Sequence, residues 1–264
     1  ARVRAGRRGT TPPRARDRRR PGSGGAVTLY RDEGIVLRTM RLGEADRIVT
    51  LMTRGRGKAR AVAKGVRRTR SKFGARLEPL SHVTMMCWQG RELDIVNQAE
   101  VLDTFRVVRE DLARMTKAYT VLEVVDQLAQ ERHANARLYE MVLGALRVLE
   151  ENDAPLLVPG FLLKVLALEG SAPTVDVCVS CGAADDLVAF DLNEGGVLCR
   201  SCRRGRPLSP EALALLRRVL GGGLASVLRE PAGALADELT DLATEAVEVH
   251  LDRRLRSVRS GAPD

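Results

Sequence analysis

Between Arg31 and about Asp103, apolar and polar residues alternate in short runs: "EGIVLRT", "DRIVTLMT", "GKARAVAKG", "HVTMMCWQG" and "ELDIVNQAEVL". Gly34, Gly43, Gly55, Gly57, Gly65 and Gly90 punctuate them. A period of two marks half-buried strands, and strands this short bury enough surface only when their sheet closes on itself. A five-stranded barrel of OB or SH3 type is therefore expected over residues 28–106. After Phe105 the period lengthens. Leu138, Val142, Ala145 and Leu149 fall on one helical face, and "GFLLKVLALEG" is apolar nearly all round, as in a buried helix. Ser209, Pro210 and Glu211 read as an N-cap and first turn, with that helix stopping at Gly221, Gly222 and Gly223. A last helix should bury a stripe of Leu235, Leu239, Leu242, Ala246 and Val249 and end in "RRLRS", where cations suit the helix dipole. Residues 107–264 thus read as a helical unit, and the fold class as α+β.

Charge divides the chain differently. The net charge is +9, but residues 1–25 hold nine Arg against Asp17 alone, and residues 107–264 are net acidic. The Arg-, Pro- and Gly-rich residues 1–27 offer almost nothing to bury and are expected to be a disordered extension. The folded pattern begins at Thr28, so this extension reads as a product of a misplaced start site, with Val27 a non-ATG start codon. The longest apolar run, from Leu156, is interrupted by Pro159 and Lys164 and is shorter than the roughly 20 residues of a membrane span. No membrane partner is expected, and the close cysteine pairs point to a reducing, cytoplasmic compartment.

Cys178, Cys181, Cys199 and Cys202 form C-x2-C-x17-C-x2-C. Two residues between thiolates let a tight knuckle present both sulfurs to one ion, and two knuckles complete a tetrahedron around a hairpin. One zinc ion is expected, structural because four thiolates leave no place for an activated water. Cys87 should be a small buried residue. His82, His133 and His250 stand isolated, and the acid pairs Asp185–Asp186 and Glu150–Glu151 read as solvated turns or helix ends. No phosphate-binding loop, dinucleotide fingerprint or deaminase signature is present.

The remaining signal is basic. From Arg54 to Arg76 the chain carries ten Lys or Arg and no acid. Strand alternation puts Lys58, Arg60 and Lys64 on one face with Val62, and Ala59, Ala61 and Ala63 on the other. The following "GVRRTRSKFGAR" reads as a mobile loop, so that strand and loop form a positive groove able to track phosphates. Either Phe73 or Trp88 could stack on a base: Phe73 suits stacking and loop anchoring equally, whereas for Trp88 a place in the core is expected ahead of stacking.

Three blocks together resemble the bacterial RecO family of DNA repair proteins: "YRDEGIVLRTMRLGEADRIVTLMTRGRGKARAVAKGVRRTRSKFGARLEPL" at Tyr30 to Leu80, the paired knuckles, and the closing "LRS" at Leu255 to Ser257. The resemblance implies an N-terminal OB-fold and a helical bundle with an inserted zinc-binding element at 178–202. It also implies a recombination mediator of the RecF pathway, not an enzyme, associated with the nucleoid. Such a mediator binds single- and double-stranded DNA, anneals complementary strands, and works with RecR to help RecA replace single-stranded DNA-binding protein (SSB). Engagement of the acidic SSB tail by the helical part is implied as well. Carried over by position, DNA binding falls on Lys58, Arg60, Lys64, Arg67, Arg68, Arg70, Lys72, Phe73 and Arg76. From the residues alone, a zinc-containing nucleic-acid-processing enzyme and an RNA-binding module stay open.

Overall fold

The alternating runs become β1 (Leu29–Leu42), β2 (Asp46–Thr53), β3 (Gly57–Ala63), β4 (His82–Trp88) and β5 (Asp94–Asp103) in a computed structural model that describes residues 28–231 and 233–257. The expected disordered extension, 1–27, lies outside the described residues. The strands close in the order β1-β2-β3-β5-β4. Long β1 serves two neighbours: its first half pairs with β4 from Leu29↔Trp88 to Ile35↔His82, and its second with β2 from Gly34↔Thr53 to Leu42↔Asp46. An irregularity between Val36 and Arg38 bends it around the barrel. The seam is a short parallel contact of β3 with β5, Ala61↔Asp94 and Val62↔Ile95. As the alternation predicts, Ala59, Ala61 and Ala63 face inward with Val49, Leu51, Val83, Met85 and Val96. A barrel of five strands has room for only small side chains on one wall when the others carry large ones.

The helical part comprises α1 (Arg106–Glu110), α2 (Leu112–Leu128), α3 (Ala136–Glu151), α4 (Leu157–Leu168), α5 (Pro210–Arg218), α6 (Leu224–Val227) and α7 (Gly233–Leu251). Between α4 and α5 lies a small sheet, β6 (Leu187–Asp191), β7 (Gly196–Cys199) and β8 (Arg206–Pro207), ordered β7-β6-β8. Side chains of Asp111, Asn135 and Ser209 cap α2, α3 and α5 by accepting from the N–H groups of Arg114, Leu138 and Ala212. The predicted face Leu138, Val142, Ala145, Leu149 is buried, and so is most of α4.

Four expectations for the helical part need correction. Helix α5 ends at Arg218, before the glycines, and Val219–Gly223 continues as a π-helical turn in which Gly222 takes φ 101°. On α7 the buried side is Ala236, Leu239, Leu242, Ala243 and Val247, whereas Val249 is half exposed. Leu239 and Leu242 are buried as expected, Leu235 and Ala246 are only partly so, and the inward face is rotated toward Ala236, Ala243 and Val247. The "RRLRS" segment is not a last helical turn: Leu255 is buried, and the Glu123 carboxylate on α2 accepts from the N–H groups of Arg256 and Ser257 and from the Ser257 hydroxyl. Glu150 is likewise no solvated end, since its two oxygens accept from the Val107 and Val108 N–H groups and cap α1.

One apolar core joins the parts. Ile35, Leu37, Met52 and Leu80 of the barrel side pack in the same cluster as α2, α3, α4 and α7 and as Cys178, Phe190 and Cys199 of the small sheet. Main chain adds a fastening. Lys58 N–H donates to Gln130 O (3.2 Å), and Arg132 N–H donates to Lys58 O (3.0 Å), a parallel bridge between β3 and the segment after α2. Gly57 makes this approach possible: its φ is +68°, and a Cβ there would lie 1.8 Å from the His133 carbonyl oxygen.

Candidate nucleic-acid interface and metal centre

The connection from Lys64 to Ser81 leaves the end of β3 as a chain of turns, closed by bonds such as Ser71 N–H to Arg68 O and Arg76 N–H to Phe73 O. Phe73 and Leu77 are buried in the barrel core, so the expected mobile loop is pinned at two points. This corrects the stacking role offered for Phe73. Only 1% of it is exposed, and a base would have to displace barrel packing to reach its ring. Trp88 is the converse case. Expected in the core, it sits at the outer end of β4 with 38% of its surface open.

The candidate cations separate into two groups. Lys58 and Arg60 face out of β3 as predicted, but the helical part meets them there. Lys58 Nζ donates to the Asp126 carbonyl (2.6 Å) with the Asp126 carboxylate at 3.8 Å, and Arg60 pairs with Glu131 at 3.3 Å. Asp126 also holds Arg38 at 2.5 Å. These contacts fasten barrel to helices; sequence reasoning missed Asp126 because it lies 68 residues from Lys58.

The second group remains uncompensated. Lys64, Arg67, Arg68, Arg70, Lys72 and Arg76 are all exposed, and none forms an ion pair among the described residues. Arg67 donates to the Glu44 carbonyl (2.9 Å), Lys72 to the Asn97 carbonyl (2.7 Å) and Arg76 to the Lys72 carbonyl (2.6 Å). Carbonyl contacts aim these heads without cancelling their charge. Among the described residues, the side chains of Lys64, Arg68 and Arg70 form no hydrogen bond or ion pair. Six charges on one surface connection give a local positive field suited to a polyanion.

The four knuckle cysteines also converge. Their sulfurs all lie within 4.8 Å of one another, with Cys181 and Cys199 Sγ 3.7 Å apart. Thiolates about 2.3 Å from a central ion would be separated by about 3.8 Å along a tetrahedral edge, so the cluster can hold a metal ion with little adjustment. The predicted hairpin is β6–β7. Cys178 and Cys199 are buried, Cys202 is half-buried and Cys181 is exposed. Among the crowded sulfurs, backbone amides, that of Cys199 foremost, lower the Cys178 thiol, while Cys181, hydrogen-bonded to the other three sulfurs, is pushed up, so the proton is shared unevenly within the cluster.

A third feature escaped the sequence reading. A groove of about 760 Å³ runs between α3, α4 and α6, walled by Met141, Val148, Phe161, Leu168, Leu224 and Leu228. Arg137 and Lys164 stand at its rim, with Glu140 beside them. Its only sequence trace is Lys164 inside an otherwise apolar helix and Gly144 on the α3 surface.

Residues 27–105 match the family described as Recombination protein O N terminal, and residues 109–259 match Recombination protein O C terminal. The chain is 44% identical over 240 residues to a DNA repair protein RecO of a Nocardioides species, covering 87% of this chain and 98% of that one. It is 41% identical over 241 residues to DNA repair protein RecO of Thermobifida fusca, covering 88% and 98%. The same description in Bifidobacterium longum goes with 38% identity over 239 residues, again 88% and 98%.

Proposed function

The chain belongs to the RecO family of DNA repair proteins, and from that premise we propose that it is a non-enzymatic mediator of recombination. It binds single- and double-stranded DNA, anneals complementary strands and, with RecR, helps RecA onto SSB-coated single strands. The observation that carries this reading is the group Lys64, Arg67, Arg68, Arg70, Lys72 and Arg76, exposed beside the closed barrel and in no ion pair among the described residues. Annealing makes and breaks no covalent bond. It needs two phosphate backbones shielded from each other while bases pair, and a dense row of cations supplies that shielding. Lys58 and Arg60 support the same surface from below by tying the barrel to the helical part rather than by meeting phosphate.

The four cysteines take one zinc ion in a structural role. Cys178, Cys181, Cys199 and Cys202 would hold it, and the ion would fix the β6–β7 hairpin against the helical core. The groove between α3, α4 and α6 receives the acidic SSB tail: its walls bury apolar side chains, and Arg137 and Lys164 meet the tail's carboxylates.

Annealing of complementary strands coated with SSB, full-length or lacking its tail, tests the reading. Full-length SSB should support annealing and tailless SSB should slow it, while naked strands anneal in either case. Failure to anneal naked strands would overturn the mediator reading, and cleavage of labelled single strands on adding divalent metal would favour an enzyme.

A further inference from the structure

The outer surface of the barrel carries an apolar row that the cationic connection leaves open. The register aligns Val62 of β3 with Ile95 of β5, Ile95 with Trp88 of β4, and Trp88 with Leu29 of β1. The inward positions beside them, Ala61, Val96, Cys87 and Tyr30, are buried, so alternation places the row on the outside. Leu29 and Trp88 are 40% and 38% exposed, while Val62 and Ile95 are half-buried. Trp88 therefore presents an indole that core packing does not consume.

Its surroundings suit a nucleic acid. Two residues along β5 from Ile95, the Asn97 carbonyl holds the Lys72 ammonium at 2.7 Å. Two residues along β1 from Leu29, Arg31 stands exposed opposite Met86. Two residues in a strand cover roughly 7 Å, about the spacing of adjacent phosphates on an extended strand. Glu92, in the turn between β4 and β5, is the nearest acid in sequence to Trp88. Two open apolar side chains fall far short of the roughly 800 Å² per partner that a stable protein interface buries, but they match one stacked base.

Resting on the DNA-binding reading above, we propose that Trp88 is a stacking platform for an unpaired base of single-stranded DNA, its phosphates held by Lys72 and Arg31. The ligand class is a single strand with accessible bases; a base-paired duplex offers no free face. The role that sequence reasoning divided between Phe73 and a core Trp88 is thereby reversed.

Trp88 is the one tryptophan of the chain, so its fluorescence reports this position without labelling. The full-length protein is titrated with a thymidine oligonucleotide and with an abasic deoxyribose-phosphate oligomer of equal length. The base-bearing strand should quench the emission and the abasic one should not. Trp88→Ala should lower thymidine affinity by roughly 5- to 150-fold, the equivalent of one stacked base, and Trp88→Phe should recover most of the loss. Thermal melts that match the parent protein keep both variants interpretable. Salt-sensitive binding of the thymidine strand with no quenching, and no loss in Trp88→Ala, would overturn the stacking role while leaving DNA binding intact. Equal quenching by the abasic oligomer would overturn it too, as would a Trp88→Ala variant altered only in oligomeric state by light scattering. If the parent protein binds neither oligomer, the DNA-binding reading itself falls.

Discussion

Neutralising Lys64, Arg68 and Arg70 together, each to Gln, removes half of the uncompensated charge on the β3–β4 connection without removing any side-chain contact. The six exposed cations should displace about six counterions from a bound single strand, which gives a log–log slope of affinity against salt near −4. Between 50 and 200 mM salt the parent protein should then lose about 300-fold in affinity. With three cations left, the slope should be about −2 and the loss about 20-fold. Fluorescence anisotropy of a labelled oligonucleotide across four or five salt concentrations measures both slopes. A control of equal charge change neutralises Arg203, Arg229 and Arg254, exposed cations outside the barrel that form no ion pair among the described residues. It should leave the slope at its parent value. An unchanged slope in the triple variant refutes the assignment of the phosphate track, and an equal change in the control refutes it as well, because net charge alone would then account for the effect.

Three further outcomes follow from the structure. One equivalent of zinc per chain should be found by elemental analysis, and its removal by chelator, or Cys181→Ala, should lower Tm by roughly 10 °C or more, about 3 kcal/mol for a chain of this size. Asp126→Ala should cost about 1–3 kcal/mol in urea unfolding, because Lys58 and Arg38 lose their shared counter-charge, and it should leave the salt slope unchanged. His82, buried where β4 meets α3 and bonded to the Tyr139 hydroxyl at 2.8 Å, is held below its ordinary pKa, first by desolvation and also by Arg147, against the opposing pull of Glu33, Asp103 and Glu140. The unfolded chain therefore takes up a proton that the folded one resists. Stability should fall as pH drops below about 6.5, and His82→Gln should flatten that decline in denaturant melts.

Local chemistry made much of this molecule readable in advance. Period-two runs located all five barrel strands, the Ser209 cap fixed the start of α5, and the spacing of the cysteines fixed both knuckles and the hairpin between them. What was not readable depended on contacts made far away in the chain. Lys58 and Arg60 have the pattern of an open cationic face, and only the return of the segment after α2 covers them. Phe73 and Trp88 exchanged roles for a similar reason. Parity tells which residues share a side of a strand, but not which aromatic in a neighbouring loop will plug the barrel and which will be left at its rim. On α7 the expected stripe shared Leu239 and Leu242 with the buried face but was rotated from it, because periodicity alone does not fix which side of a helix its neighbours cover. The groove between α3, α4 and α6 arises from three helices at once, and no single segment encodes it.

The parallel bridge at Lys58 has a mechanical meaning. Its two hydrogen bonds run between main-chain atoms and are seated on Gly57, so the barrel and the bundle are riveted through backbone at the very strand that launches the cationic connection. Ile35, Leu37, Met52 and Leu80 add apolar packing between the same two parts. The cationic connection and the groove between α3, α4 and α6 thus sit on parts joined through main chain, like the two jaws of one caliper. On the proposed DNA-binding reading, a bound strand is expected to shift along the surface rather than be passed by closure of the two parts. Distance measurements between spin labels on Arg70 and Arg137 should give one narrow distribution, unmoved by DNA or by an acidic tail peptide.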